Sequence, residues 1–407
     1  MKIIRFTSKQ LEKIYNRQFS RSKRVEEKVK QIIEDVRLLG DEALFKYTKK
    51  FDGVKIPTRQ LKVSEIEISG AYQNITPNFV STLKVIIENV NKFCRKSIKK
   101  SWRIKDTDGL VLGENYQPLE KVGIYIPAGT APLVSTVYMS VLPAKIAGVK
   151  KIVLISPPDK QGRINPHILV VADLLKVDEI YRVGGAQGIA ALAYGTKTIP
   201  RVDKIVGPGN IYVTEAKRQV FGFVDIDMLA GPTELVIIAN RSSDPKFIVA
   251  DLRAQAEHAQ GLAILVTNSR SLAKEIKSQT ENINGLIILT KNLQQAVDIS
   301  NKIAPEHLEI LVNNPKRLLR LVKNAGAIFL GPYSPTAVGD YVAGPSHVLP
   351  TQGTARFFSG LSVLDFTKSS HIISYSKKAL EKIKDPLAKV AGIEGLSKHL
   401  ESVKVRF

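Results

Sequence analysis

The chain reads as an α/β protein built on two parallel sheets. Three observations predict this: a series of short apolar runs after Lys121, a second series after Asp227, and helix-length segments between the runs of each series. Strands spaced that way form βα units, because parallel neighbours need a crossover between them.

Ahead of Lys121 the pattern is helical. Val25, Val29, Ile32, Ile33, Val36 and Leu39 make an apolar stripe that stops at Gly40, a predicted C-cap. Asp41 is expected to N-cap a short helix ending near Asp52-Gly53. Leu83, Ile86, Ile87, Val90 and Phe93 make the next stripe, with Cys94 beside it as a half-buried filler. The first strand series is Gly123–Ile126, Ile152–Ile155, Glu179–Val183 and Lys204–Val206. The second is Glu234–Ala239, Ala263–Thr267, Leu286–Leu289, Leu308–Val312 and Ala327–Leu330. The turn-forming stretch Asp227–Glu234 (DMLAGPTE) marks the boundary between them. After Asp365 the chain is expected to return to helix, with Leu380, Ile383 and Leu387 at helical spacing and an interruption at Pro386.

Composition narrows the function classes. The apolar share of 44% and charged share of 24% are those of an ordinary globular protein. No apolar run approaches the length of a membrane span, and the N-terminus lacks the apolar core of a secretory signal, so neither membrane nor export is expected. The single cysteine, Cys94, cannot form an intramolecular disulfide, which fits the cytoplasm. Sixty basic against thirty-eight acidic residues give a net charge of +22. That excess suits an anionic partner. The basic residues are dispersed, however, and no nucleic-acid motif accompanies them, so nucleic acid is not expected as a partner.

Three glycine-rich turns follow predicted strands: Ile126-Pro127-Ala128-Gly129-Thr130, Gly184-Gly185-Ala186-Gln187 and Gly207-Pro208-Gly209-Asn210. Glycine lets the backbone approach a ligand, and a helix N-terminus offers free N–H groups to phosphate. None matches G-x-G-x-x-G, and tight βα turns use glycine anyway; three in one domain point to a phosphate-bearing ligand.

Four of the six histidines lie in polar settings. Gln255 and His258 stand at i and i+3, where one helix face could grip an ion. Glu306-His307 pairs a carboxylate with an imidazole after a proline, a place for acid–base work. Asp340 and His347 share a glycine-rich loop, and Glu394 and His399 lie in the tail. His167 and His371 read as structural. Any one histidine is as readily a hydrogen-bonded core or surface residue. Four such clusters together suit a metal enzyme with mixed nitrogen and oxygen ligands.

Eight blocks in order carry a resemblance to a known family, from about Lys121 to the tail. They are VGIYIPAGTAPLVSTVYMSVLPAKIAG, VGGAQGIAALAYGT, VDKIVGPGNIYVTEAKRQV, DMLAGPTE, AQAEHA, APEHLE, GDYVAGPSHVLPT and EGLSKH. Together they resemble histidinol dehydrogenase. The resemblance implies oxidation of L-histidinol through L-histidinal to L-histidine by two NAD molecules, with one zinc ion per site. It assigns Gln255, His258, Asp340 and His399 to zinc and Glu306 and His307 to acid–base catalysis. Thr233, His347 and Glu394 would join these residues around the substrate, and Tyr125, Gln187 and Asn210 would lie along NAD. The family commonly has serine where Thr233 stands, so a hydroxyl is kept. With Cys94 the only thiol, the aldehyde is expected to react as a hydrate, activated by Glu306. The alternatives weighed are a thiol-dependent aldehyde dehydrogenase and a basic nucleic-acid-binding protein.

The same resemblance implies two incomplete Rossmann-like parallel-sheet domains with small helical N- and C-terminal additions. The expected divisions are a mainly helical segment at 1–120, part of it joining the second α/β domain, and an NAD-side domain at 121–230. A metal and acid–base domain at 231–364 and a helical tail at 365–407 follow, the tail exchanged in a homodimer.

Overall fold

A computed structural model describes residues 1–17, 22–128, 131–258 and 260–407. It divides into a first unit, Met1–Ser97 with Leu119–Phe366, and a second, Ile98–Pro118 with Thr367–Phe407. In chain order the strands begin with β1 (Lys2–Arg5), β2 (Trp102–Lys105) and β3 (Val111–Pro118). Next come β4 (Lys121–Tyr125), β5 (Lys151–Ser156), β6 (Glu179–Arg182), β7 (Lys204–Val206) and β8 (Asp225–Ile226). The series ends with β9 (Glu234–Ala239), β10 (Leu262–Thr267), β11 (Gly285–Leu289), β12 (His307–Leu311), β13 (Ala327–Leu330) and β14 (Thr367–Ser374).

The first unit holds two parallel sheets, ordered β6-β5-β4-β7-β8 and β1-β11-β10-β9-β12-β13. Counted within its own series, each runs 3-2-1-4-5, the doubly wound order short of its sixth strand. The architecture is thus that of two incomplete Rossmann-like sheets. Each winds back on itself at one point, between β4 and β7 and between β9 and β12. Both faces of both sheets are covered, which is why the strands read as unbroken apolar runs rather than alternating ones. Val236 and Ile238 enter one apolar cluster and Leu235, Ile237 and Ala239 another, all fully buried. Truncating one such isoleucine to alanine costs about 2–5 kcal/mol.

The N-terminal segment is not helical throughout. Strand β1 pairs in parallel with β11, Lys2 opposite Leu286, and so closes the outer edge of the second sheet. Helix Lys23–Leu39 ends at Gly40, whose φ is 56°, and helix Asp41–Phe51 starts at the next residue. Asp41 is therefore not a cap. Gly40 closes one helix and opens the other, and the Asp41 carboxylate instead accepts the hydroxyl of Thr198. Both helices cover one face of the first sheet. In helix Pro77–Cys94 the buried residues are Leu83, Ile86, Val90 and Cys94, while Phe93 is exposed. The buried stripe steps four residues from Val90, so Cys94 takes the inward position expected of Phe93.

The second unit is an antiparallel sheet, β14-β3-β2, followed by helices Lys377–Ile393 and Ser397–Lys404. The chain after Asp365 thus makes a strand before it becomes helical, and TKSSHIIS carries no alternation to announce one. Helix Lys377–Ile393 also runs through Pro386 instead of breaking there. Pro386 is exposed, so the carbonyl it deprives of a partner can meet water.

Candidate active site

Tyr125, Gln187 and Asn210 come together at the carboxyl edge of the first sheet, where ligands of open parallel sheets bind. Gly207 follows β7 with φ at 121°, and a Cβ there would lie 2.2 Å from the Tyr125 carbonyl oxygen. A buried ion pair grips this glycine from both sides. Its N–H donates to Asp227 Oδ2 at 2.8 Å, its carbonyl accepts from Lys217 Nζ at 3.0 Å, and Lys217 also bonds Asp227. Asn210 Oδ1 caps helix Ile211–Val220 through the N–H groups of Tyr212 and Val213, leaving the amide NH2 for other partners. Helix Gly185–Tyr194 begins at the second turn, with the Gly185 N–H 3.5 Å from the Tyr125 hydroxyl. Burial pushes that phenol up to about 12. Gln187 is buried, and its Oε1 has no hydrogen-bond partner among the described residues. Gly129 and Thr130 of the remaining turn lie outside the described residues.

Glu306 and His307, the acid–base candidates, sit at the opposite, amino edge of the second sheet. Helix Leu293–Ile303 ends on Ala304 in the left-handed conformation, and Pro305 leads into Glu306 and His307, the first residue of β12. Both side chains fasten to the backbone of Glu234, the first residue of β9. The Glu234 N–H donates to Glu306 Oε2 at 3.0 Å, and His307 Nδ1–H donates to the Glu234 carbonyl at 3.2 Å. This fixes the imidazole so that the buried Nε2 lies 3.5 Å from Asp340 Oδ1. Burial pushes the Glu306 carboxyl up, against the pull of His307 and a hydrogen bond from Thr233. Burial alone would lower His307, but the carboxylates of Glu306 and Asp340 outweigh it and raise the imidazole to about 9.

Asp340 lies on the short helix Thr336–Tyr341, not in the loop expected from its glycines. Its carbonyl accepts from His347 Nδ1 at 2.9 Å, and His347 Nε2 meets the Thr136 hydroxyl at 3.2 Å. Burial lowers His347, keeping that ring neutral. Helix Pro245–Ala256 ends before His258, so Gln255 and His258 do not share a helix face as expected. Gln255 is buried on the last turn and His258 is exposed beyond it. Gly261 causes the difference: a Cβ there would meet the Gln255 carbonyl at 2.6 Å, so only glycine turns the chain this tightly into β10. Glu394 and His399 belong to the second unit, and both are exposed.

An amide, an imidazole and a carboxylate suit zinc or a similar ion. Gln255 could offer such an ion its amide oxygen, and its buried Nε2, a donor, has no partner among the described residues. Among those residues no three His, Cys, Asp or Glu side chains form a metal-holding cluster.

The groups that hold these residues in place are Glu234, Lys217 and Asp227, with Glu309 under Thr336, none of them a histidine or a glycine. Their signal was ionisable residues inside otherwise apolar stretches, as in ELVIIA and HLEIL. Arg17 forks onto the Glu234 carboxylate and also donates to the Ile303 carbonyl at 2.7 Å.

A family model described as histidinol dehydrogenase matches residues 15–407. The chain belongs to the histidinol dehydrogenase family. It is 49% identical to a histidinol dehydrogenase of Clostridium acetobutylicum, over 98% of this chain and 96% of that one. A histidinol dehydrogenase of Listeria monocytogenes is 49% identical, over 95% and 94% of the two chains. The crystal structure of the histidinol dehydrogenase from Elizabethkingia anophelis superposes with a TM-score of 0.95 at 35% identity, covering 100% of this chain and 98% of that one. The protein is accordingly an oxidoreductase, and no helix among its described residues is long and apolar enough to cross a membrane.

Proposed function

We propose that this enzyme oxidises L-histidinol through L-histidinal to L-histidine in the cytoplasm, in two NAD-dependent steps at one site. The observation that carries the reading is the Glu306–His307 pair, buried and pinned to the backbone N–H and carbonyl of one residue, with Nε2 toward Asp340. Gln255, His258 and Asp340, with His399 from a partner subunit's tail, would hold zinc. When bound, the ion would fix the substrate's amine and imidazole, and NAD, along Tyr125, Gln187 and Asn210, would accept the hydride. Exposure of His399 and Glu394, beside Ile393 at 80% exposure, supports a tail that serves another subunit of a homodimer.

In the alcohol step the hydroxyl proton leaves to His307 Nε2 as hydride departs the carbinol carbon. Glu306 and Asp340 hold the free imidazole protonated at neutrality. With Asp340 engaged by an ion, that hold would weaken and Nε2 would be free to serve as a base. In the aldehyde step Glu306 takes a proton from the attacking water. Burial raises its carboxyl and so makes it a stronger base, and Thr233 and the Glu234 N–H orient it. Thr233, His347 and Glu394 complete the substrate contacts.

The two roles separate by substitution. Glu306→Gln keeps the acceptor for Glu234 but removes the base, so histidinal oxidation should fall by roughly 10²–10⁴-fold while hydride exchange between histidinol and NAD persists. His307→Asn should show the opposite bias. Equal slowing of both half-reactions by Glu306→Gln would remove water activation from Glu306.

A further inference from the structure

Glu309 is fully buried in the middle of β12, two residues beyond His307 on the same face of the strand. Its Oε1 accepts the backbone N–H of Thr336 at 2.9 Å, at the start of the helix that presents Asp340 one turn later. Its Oε2 has no donor among the described residues. Facing it is another carboxyl, Asp251, on helix Pro245–Ala256 one turn before Gln255. Two carboxylates that face each other out of water cannot both stay charged, and a single proton between them converts repulsion into a hydrogen bond. Burial and the facing Asp251 push Glu309 up to about 8, and burial pushes Asp251 up as well.

We infer that Asp251 and Glu309 share one proton and act as a positioning pair. They tie the three elements that present Gln255, His307 and Asp340. The inference rests on the roles proposed above for those residues. No other acidic pair joins the helix of Gln255 to the strand of His307 among the described residues that the hydrogen bonds and charges connect here. A protonated acid is the one state in which Glu309 can accept from Thr336 with one oxygen and donate to Asp251 with the other.

The test compares Glu309→Gln, which keeps an acceptor for Thr336 and offers Asp251 a permanent N–H donor, with Glu309→Leu, which keeps bulk alone. Zinc affinity is measured by competition with a chromophoric chelator, and amide hydrogen exchange is followed over 336–341. Glu309→Gln should stay within about threefold of the parent in zinc affinity, while Glu309→Leu should lose about 10–100-fold, as removal of a ligand's supporting partner does. Exchange over 336–341 should quicken only in the leucine variant. Should that variant fail to fold, Thr336→Pro removes the donor alone, since Pro335 at ψ 157° already has the backbone a following proline demands. It should weaken zinc binding and quicken exchange as the leucine variant does. Parent-like zinc affinity in the leucine or proline variant, or equal loss in the glutamine variant, overturns the inference. If the parent itself binds no zinc, the metal reading fails, and exchange over 336–341 decides the pair by itself. Quickening in the leucine variant with protection in the glutamine variant sustains it, and unchanged exchange overturns it.

Discussion

Glu234 lends the site its backbone N–H and carbonyl, not its carboxylate. One N–H and one carbonyl hold Glu306 and His307, while the side chain is taken up by Arg17. The residues proposed to do chemistry were legible from their types and neighbours, because carboxylates and imidazoles beside glycine and proline stand out. The residues that hold them were not, because a backbone anchor leaves no mark on composition. Cys94 shows the limit from another side. The helical stripe placed it near the core, but not that it would be 4% exposed with burial pushing its thiol up to about 11. At pH 8 only about one such thiol in a thousand is ionised, too few for a competent nucleophile. Cys94→Ala should therefore keep NADH formation within about twofold while losing about 1–2 kcal/mol of stability to the lost packing. Loss of turnover in a variant that still folds would restore the thiol-dependent reading.

Among the elements, most of the two strand series were legible because strands buried on both faces read as continuous apolar runs. Strand β1 was hidden by its brevity, β14 by its polar sequence, and β8 by its two-residue length. Ends of elements followed local chemistry that spacing does not convey, as where Gly40 serves two helices at once. Those two helices are clasped by Asp35, which accepts from Lys46 Nζ at 2.8 Å, Tyr47 Oη at 2.7 Å and Gln31 Nε2 at 2.6 Å. Lys46 and Tyr47 lower its carboxyl to about 2, against burial and with further help from Gln31. A depressed folded pKa stabilises above the unfolded value near 4, and that contribution disappears as pH falls from about 4 through about 2. Asp35→Asn should cost about 1–2 kcal/mol at pH 7, a figure reduced because Lys46 is largely exposed, and much less at pH 2. A stability gap of the same size at both pH values would mean that the charge of Asp35 contributes nothing.

At the scale of the whole molecule, the first sheet offers its carboxyl edge and the second the amino ends of β9 and β12. This use of opposite edges was beyond the reach of sequence patterns, which specify strands but not which end of a strand faces a ligand. The proposed dimer is tested by pairing lesions. His258→Ala and His399→Ala should each inactivate the homodimer. If tails are exchanged, a mixed dimer contains one doubly damaged site and one intact site, so refolding the two variants together should recover activity. Mixed dimers without recovery would mean that each tail serves its own core.

One zinc-dependent site is proposed to carry an alcohol to a carboxylate. Limiting histidinol, given to the zinc-loaded enzyme with excess NAD, tests it most directly through the NADH formed per substrate consumed. Two NADH for each histidinol are predicted, with histidine as the end product, a complete loss of turnover on chelation and its return with zinc. A single NADH with histidinal accumulating, or full turnover in protein shown to be free of metal, would contradict it.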